Sequence, residues 1–501
     1  MKILYVCTEL YPLLKTGGLA DVGAALPAAL QAAGCHVRLL LPAFAAIAAG
    51  VRADGPAVPL PAAGGPQVLR TLQPAPRLIP GHVIESGQPV YLLDAPALYQ
   101  REGGPYQDAA GQDWSDNAAR FALLSWAAAA LAYGADPHWR PDLVHAHDWH
   151  AGLAPLYLKL QANGRPAMPS VFTIHNLAFQ GLFPASSCAE LGLPQSLFTI
   201  DGLEYHGLLS FMKAGLQFAD AITTVSPRYA QEITTPEQGC GLDGALRSRC
   251  EHLSGILNGV DYELWNPATD PLLNAHFDGK RMTGKARVKR ALQRLLGLEE
   301  RPDALLFAAV TRLTEQKGLH LLPSILPELV ERGGQVVILG SGDDAIETAL
   351  RDALERHPGQ TALRIGYDEA LAHRIIAAAD VVLVPSRFEP CGLTQLYGLR
   401  YGALPLVHAV GGLADTVTDS SLEAIDDGSA SGFVFHEFSS DALRGAVRRA
   451  FALRRRSTDW NAVQRHAMQQ RFDWQEPAHT YRALYQRLLA PVAAPAPTVS
   501  A

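Results

Sequence analysis

The sequence predicts an α/β protein built from two doubly wound parallel sheets. Three observations predict it. Short apolar runs alternate with longer helical patterns along the chain, as in successive α/β units. Those runs are continuous rather than alternating, which suits strands buried on both faces of a parallel sheet. The pattern restarts near Leu305 after an irregular region, and 501 residues are too many for one ordinary core.

In the first half the strand candidates are Ile3–Cys7, Val37–Leu41, Val90–Leu93, Leu143–His145, Ser170–Ile174 and Ala221–Val225. In the second half they are Ala304–Val310, Gln335–Leu339, Leu363–Ile365, Val381–Val384 and Leu406–Val407. The junction is expected near Gly255–Asp261, giving domains at 1–255 and 256–475. Gly50 to Gly81 is rich in Pro, Gly and Ala and reads as either a β-hairpin excursion or a loop. The uncharged stretch Phe121 to Ala135 is too short for a membrane span and reads as a buried, alanine-rich helix. The Pro/Ala-rich end, 490–501, is expected to be disordered.

Composition narrows the function classes. Apolar residues make up 48% of the chain, and net charge is −7, from 42 basic and 49 acidic residues. Nucleic acid is therefore not expected as a partner, because phosphate binding is mostly a Lys/Arg effect. The cysteines, Cys7, Cys35, Cys188, Cys240, Cys250 and Cys391, include no C-x-x-C pair. A reducing cytosol suits them better than a disulfide framework or a zinc site. Met1–Val6 reads as a first strand and not as a signal peptide. A cytoplasmic protein without a membrane partner is the expectation.

In doubly wound sheets ligands bind at the carboxyl ends of the strands. The chemistry-bearing motifs fall there. After the first strand come Glu9 and then Lys15-Thr16-Gly17-Gly18-Leu19-Ala20-Asp21, with a helix beginning near Leu19. Adjacent glycines, a helix N-terminus and a lysine suit a diphosphate; a tight strand-to-helix turn would read the same way. Two histidine loops follow, His145-Ala146-His147-Asp148-Trp149-His150 and His175-Asn176. A His-x-His pair is compatible with a metal, but no nearby acidic or cysteine ligand completes a recognisable site. Sugar recognition fits better, with His145 and His150 supporting the loop. The stretch Leu98 to Tyr106 is a surface turn or a further sugar-side loop. In the second half, Arg312 and Lys317 share the loop after Ala304–Val310. They could neutralise a leaving diphosphate or be a solvated basic pair. After Val381–Val384, the run Pro385 to Thr394 carries Glu389, and Gly392 opens the next helix. Gly411-Gly412 forms another turn into a helix.

Taken together these motifs, with Asn258-Gly259-Val260-Asp261, Thr173-Ile174-His175-Asn176 and Glu389-Pro390-Cys391-Gly392-Leu393-Thr394-Gln395-Leu396, resemble the bacterial glycogen synthases and plant starch synthases. The match runs in family order from about residue 3 to 475. It implies a GT-B fold, two Rossmann-like domains facing across a deep cleft, with a C-terminal helix at 476–489 returning to the first domain. It implies retaining transfer of glucose from ADP-glucose to the non-reducing 4-hydroxyl of an α-1,4-glucan such as glycogen, with no metal or other cofactor. By the same resemblance the catalytic residues are Glu389, His175, Lys15, Arg312 and Lys317. The donor contacts are Lys15, Gly18, Asn258, Arg312, Lys317, Cys391, Gly392, Leu393 and Thr394. Glu9, Asp21, Tyr106, Asp148 and Asn176 fall on the acceptor or sugar side. Related retaining enzymes carry a second glutamate eight positions after the first; here that position is Tyr397. His408-Ala409-Val410 replaces the family's usual basic pair and threonine.

The expected mechanism lets the leaving phosphate take the acceptor's proton on the same face, and domain closure is expected because each half carries part of the site. Double displacement through Glu389 is the rival. A binding protein without activity and a transferase using another sugar nucleotide are the other function classes. Homo-oligomerisation is left open.

Overall fold

The computed structural model describes residues 1–490. The tail expected to be disordered, 490–501, falls outside the described residues apart from Ala490. The chain divides into two compact units: Met1–Val225 with Ile233–Ile256 and Trp474 onward, and Leu257–Asp473 with Ser226–Glu232. The first unit is therefore not contiguous in sequence: it takes in the C-terminal helix expected to return to it, but Ser226–Glu232, within the expected 1–255, belongs to the second unit. Ser226–Glu232 joins the second unit for a local reason. Ser226 donates to the Pro390 carbonyl at 2.6 Å, and Asp415 accepts the Arg228 N–H at 2.8 Å.

The first unit holds a ten-stranded sheet. Its parallel part runs Leu253–Gly255, Ala221–Thr224, Ser170–Ile174, Leu143–His147, Lys2–Val6, His36–Pro42 and Pro89–Asp94. Four of these strands (Lys2–Val6, Leu143–His147, Ser170–Ile174 and Ala221–Thr224) are buried along almost their whole length, which is why their sequences read as unbroken apolar runs. The 50–81 region resolves toward the hairpin reading. Arg77–Val83 pairs antiparallel with Pro89–Asp94, and the short strands Val51–Ala53 and Val58–Pro59 pair with Arg77–Val83. The alanine-rich helix spans Asn117–Ala132 and is buried from Arg120 to Ala132. Helix Gln475–Leu489 packs on helix Gly18–Ala32. A three-stranded sheet of Leu182–Pro184, Glu204–Tyr205 and Leu208–Ser210 was not foreseen.

The second unit holds a six-stranded, fully parallel sheet. In space its strands run Thr361–Ile365, Gln335–Gly340, Leu306–Val310, Val381–Val384, Leu404–His408 and Phe433–Phe435. Numbered along the chain, that order is 3-2-1-4-5-6, so it reverses between Leu306–Val310 and Val381–Val384. Loops leaving the carboxyl ends of strands at such a switch point diverge and leave room for a ligand. Arg312, Lys317 and Glu389 lie on those two loops. In the first unit the corresponding reversal lies between Lys2–Val6 and Leu143–His147. The loops there carry Lys15 and Asp148.

Candidate active site

The first-unit loop is organised by one carboxylate. Glu9, only 2% exposed, accepts the Thr16 N–H at 2.6 Å and the Gly17 N–H at 3.4 Å through Oε2. Its Oε1 accepts the Thr16 and Tyr106 hydroxyls, both at 2.6 Å. Tyr106, from the loop whose sequence reads equally as a surface turn, is thus tied to the glycine loop, and it also bonds Thr8 at 2.8 Å. Asn117 holds that loop from below by donating to the Tyr106 carbonyl. Lys15 pairs with Asp21 at 3.0 Å, with its ammonium 5.2 Å from the centre of the Tyr11 ring. Gly17 is extended and caps helix Gly18–Ala32 without a side-chain bond. A Cβ at Gly17 would meet nothing within 4 Å, so the loop backbone borders open space. Gly23 went unremarked in the sequence. A Cβ there would stand 2.6 Å from the Glu9 carbonyl, so its absence lets the helix approach the loop.

The histidine loops form a second layer. Asp148 adopts a left-handed φ of 54°, a strained value for a residue with a side chain. It accepts the His175 N–H at 2.7 Å and the Asn176 N–H at 3.4 Å. Burial nevertheless pushes its carboxyl up to about 7. His145 is a supporting residue, as expected. Its ring bridges the Tyr485 hydroxyl at 2.7 Å and the Thr173 hydroxyl at 2.6 Å, and burial lowers it to about 3. His150 stacks on Tyr106 with ring centres 4.5 Å apart. His147 Nδ1 lies 2.9 Å from His175 Nε2. Burial holds His175 down at about 3, so the ring is neutral near pH 7. Among the described residues no group of three or more His, Cys, Asp or Glu is arranged to hold a metal ion.

In the second unit the two switch-point loops are zipped together. Arg387 N–H donates to the Gln316 carbonyl at 2.8 Å, and Gln316 Nε2 to the Phe388 carbonyl at 3.3 Å. Lys317 Nζ reaches Glu389 Oε2 at 2.6 Å, and Ser386 Oγ donates to the same oxygen at 2.8 Å. Arg312 is exposed and makes no ion pair among the described residues. The strand before it leads into a loop that holds two 3-10 turns, Glu315–Lys317 and Leu319–Leu321. Gly318 joins the turns at φ 71°, where a Cβ would lie 2.0 Å from the Pro385 carbonyl. Cys391 is buried, faces the Asn258 N–H, and is pushed up to about 12 by desolvation. Gly392 is left-handed at φ 73°. Gln395 Nε2 donates to the Cys391 and Gly392 carbonyls at 3.0 and 2.9 Å, which fixes the turn. Helix Thr394–Arg400 follows, with Leu393 as its cap and Thr394 Oγ1 on the Val310 carbonyl at 3.4 Å. His408 holds the same loop through the Ser386 carbonyl at 2.8 Å. Tyr397, at the position of the missing glutamate, stacks on Trp265 with ring centres 3.8 Å apart.

The structure therefore gathers Glu9, Lys15, Asp21 and Tyr106 around the glycine loop. It gathers Asp148, His175 and Asn176 at the histidine loops, and Lys317 with Glu389 at the second-unit switch point. Ser386 was not singled out from sequence, and His147 was weighed only as half of a His-x-His pair. Ser386 lies three residues before Glu389 on the same turn, a signal that spacing alone offers; the contact of His147 with His175 spans two strands and offers none.

The starch synthase catalytic domain family model matches residues 2–248, and the glycosyl transferases group 1 model matches residues 297–466. The chain is 60% identical over 489 residues to a glycogen synthase of Albidiferax ferrireducens, covering 97% of this chain and 99% of that one. It is 54% identical to a glycogen synthase of Francisella tularensis subsp. novicida, covering 98% and 99%. Among solved structures it resembles the catalytic domain of starch synthase IV from Arabidopsis thaliana, bound to ADP and acarbose. That likeness has a TM-score of 0.86 at 33% identity and covers 97% of this chain and 99% of that one.

Proposed function

The chain belongs to the glycogen synthase family of glycosyltransferases and has its two-domain GT-B fold, and on that premise we propose that it extends an α-1,4-glucan with glucose from ADP-glucose, releasing ADP. The observation that carries this reading is the trio at the second-unit switch point: an exposed Arg312, without an ion pair among the described residues, on the same loop as Lys317, which pairs with Glu389. Cations there can hold a diphosphate, and a fixed carboxylate beside them can hold a sugar.

The chemistry follows from where charge develops. Breaking the bond between the anomeric carbon and the phosphate oxygen builds negative charge on the diphosphate and positive charge on the sugar. Arg312 and Lys317 answer the first charge; Lys15 is assigned to the donor phosphate as well. His175 is assigned to the donor glucose, and Glu389 accepts from its hydroxyls through Oε1. Glu389 is a poor nucleophile in this setting, because Oε2 already carries two hydrogen bonds. We therefore favour transfer on one face. The acceptor's 4-oxygen bonds to the anomeric carbon as the phosphate departs, and its proton passes to the departing phosphate oxygen. The configuration is retained. Asp21, Asp148, Asn176 and Tyr106 are assigned to the sugar or acceptor side. The fixed cations supply the positive charge, so transfer is expected to need no metal, and the site of action is expected to be the cytosol. No helix among the described residues is long and apolar enough to cross a membrane.

The deciding assay is labelled-glucose incorporation into glycogen from ADP-glucose against UDP-glucose, with and without a chelator. Incorporation from ADP-glucose that survives chelation is the expected result. Equal or greater use of UDP-glucose would remove the donor assignment, and loss on chelation would remove the metal-free one. A glucosyl group trapped on Glu389 by mass spectrometry would replace the single-face route with double displacement.

A further inference from the structure

We propose that His147 is a positioning residue that fixes His175 as the Nδ1-protonated tautomer, so that His175 offers an N–H donor and not a lone pair to a sugar oxygen. The two rings come from neighbouring strands, Leu143–His147 and Ser170–Ile174 with its following loop, and share one hydrogen bond of 2.9 Å between His147 Nδ1 and His175 Nε2. Both imidazoles are held neutral by burial, so each carries one ring proton and only one proton lies between them.

Two arrangements are open to such a pair. In one, His175 Nε2–H donates to His147 Nδ1, and the His147 proton must sit on Nε2. In the other, His147 Nδ1–H donates to His175 Nε2, and the His175 proton sits on Nδ1. His147 Nε2 is buried without a hydrogen-bond partner, so the first arrangement strands an N–H donor there. Orphaned buried N–H groups are rarer than under-used acceptors. The ring of His147 packs against both Tyr5 and His145, each with its centre 4.0 Å away. His175 Nδ1 carries no hydrogen bond from the described residues and is the nitrogen left for substrate.

The inference rests on the assignment of His175 to the donor glucose, and its test separates the two. Nitrogen-15 NMR of the protein labelled in its histidine rings reads the tautomer without substrate, with the His175 signal identified by its loss in His175→Gln. The proton is expected on Nδ1. His147→Phe keeps a flat ring but no donor; it should release the tautomer and lower kcat by on the order of 10- to 100-fold, typical of an outer partner that orients a functional imidazole. His147→Asn places an amide N–H near the Nδ1 position and should recover most of that loss. A His175 proton on Nε2 in the parent protein, or an unchanged tautomer in His147→Phe, would overturn the proposal. If the variants do not fold, the parent spectrum alone decides. A correct tautomer in a protein that transfers no glucose would instead count against the donor assignment.

Discussion

Lys317 and Glu389 form a largely buried ion pair across two loops, Nζ to Oε2 at 2.6 Å, while Arg312 five residues earlier stands exposed and without an ion pair among the described residues. The side chains of the pair are only 17% and 8% exposed, so each partner keeps the other's charge compensated away from water. The two cations of this loop should therefore fail differently when removed.

Lys317→Ala leaves the Glu389 carboxylate without its charge partner, which should cost about 3 kcal/mol of stability as well as turnover. Arg312→Ala should leave the melting temperature within a degree or two of the parent's, because no fold contact is lost. Both should lower kcat by about 10²- to 10³-fold, the loss typical of one charge-stabilising contact. Thermal melting and steady-state kinetics with ADP-glucose test this together. An Arg312→Ala protein of normal turnover would remove Arg312 from the mechanism.

Gly318→Ala should destabilise the second unit by about 3 kcal/mol, since a side chain at left-handed φ adds strain and its Cβ would stand 2.0 Å from the Pro385 carbonyl. The Lys317–Glu389 pair straddles that contact, so activity should fall with stability. Urea unfolding gives the number. A midpoint equal to the parent's would mean that the two loops are not locked as described.

Asp148 gives a pH signature with a definite sign. Its carboxyl titrates at about 7 in the folded protein against 3.8 for the ordinary group, so the folded state holds the proton more tightly. The associated stability is complete below pH 4 and is lost as pH rises through 7. Asp148→Asn keeps an oxygen for the His175 N–H and cannot ionise. Its stability relative to the parent should therefore improve between pH 5 and pH 8, by about 3 kcal/mol at most. Denaturation curves at the two pH values measure the difference, and a constant gap would sink the assignment.

His145 has the opposite sign. Burial lowers it to about 3 from 6.5, so its contribution is complete above pH 6.5 and fades as pH falls from 6.5 toward 3. His145→Gln retains a side chain able to bond Thr173 or Tyr485 and removes the titration. It should flatten the acid limb of the stability curve, at some loss near pH 7. An acid limb identical to the parent's would show that protonation of His145 does not drive acid unfolding.

Much was legible in the chain itself. Strands such as Ser170–Ile174 and Val381–Val384 are buried on both faces, and that burial demands unbroken apolar runs. Glycine turns and charges fall directly after such strands, at the ends where doubly wound sheets are expected to bind ligands, and the ordered set of motifs identified the family. What sequence left open depended on contacts distant along the chain. In the 50–81 region, Val51–Ala53 and Val58–Pro59 are strands through pairing with Arg77–Val83, which itself pairs with Pro89–Asp94. Ser226–Glu232 left its sequence neighbours because its donors and acceptors meet Pro390, Asp415 and Gly411. Glu9, placed on the acceptor or sugar side by resemblance, closes the glycine loop, joined there by Tyr106 from 97 positions later. Lys317 and Glu389 are 72 positions apart, and the sheet order 3-2-1-4-5-6 makes them neighbours. Local burial and backbone chemistry are written residue by residue, so sequence determined the elements and their kinds. Hydrogen-bond partners are chosen by strand order and loop geometry, so only the tertiary structure decided which charges are spent holding the fold and which remain for a substrate.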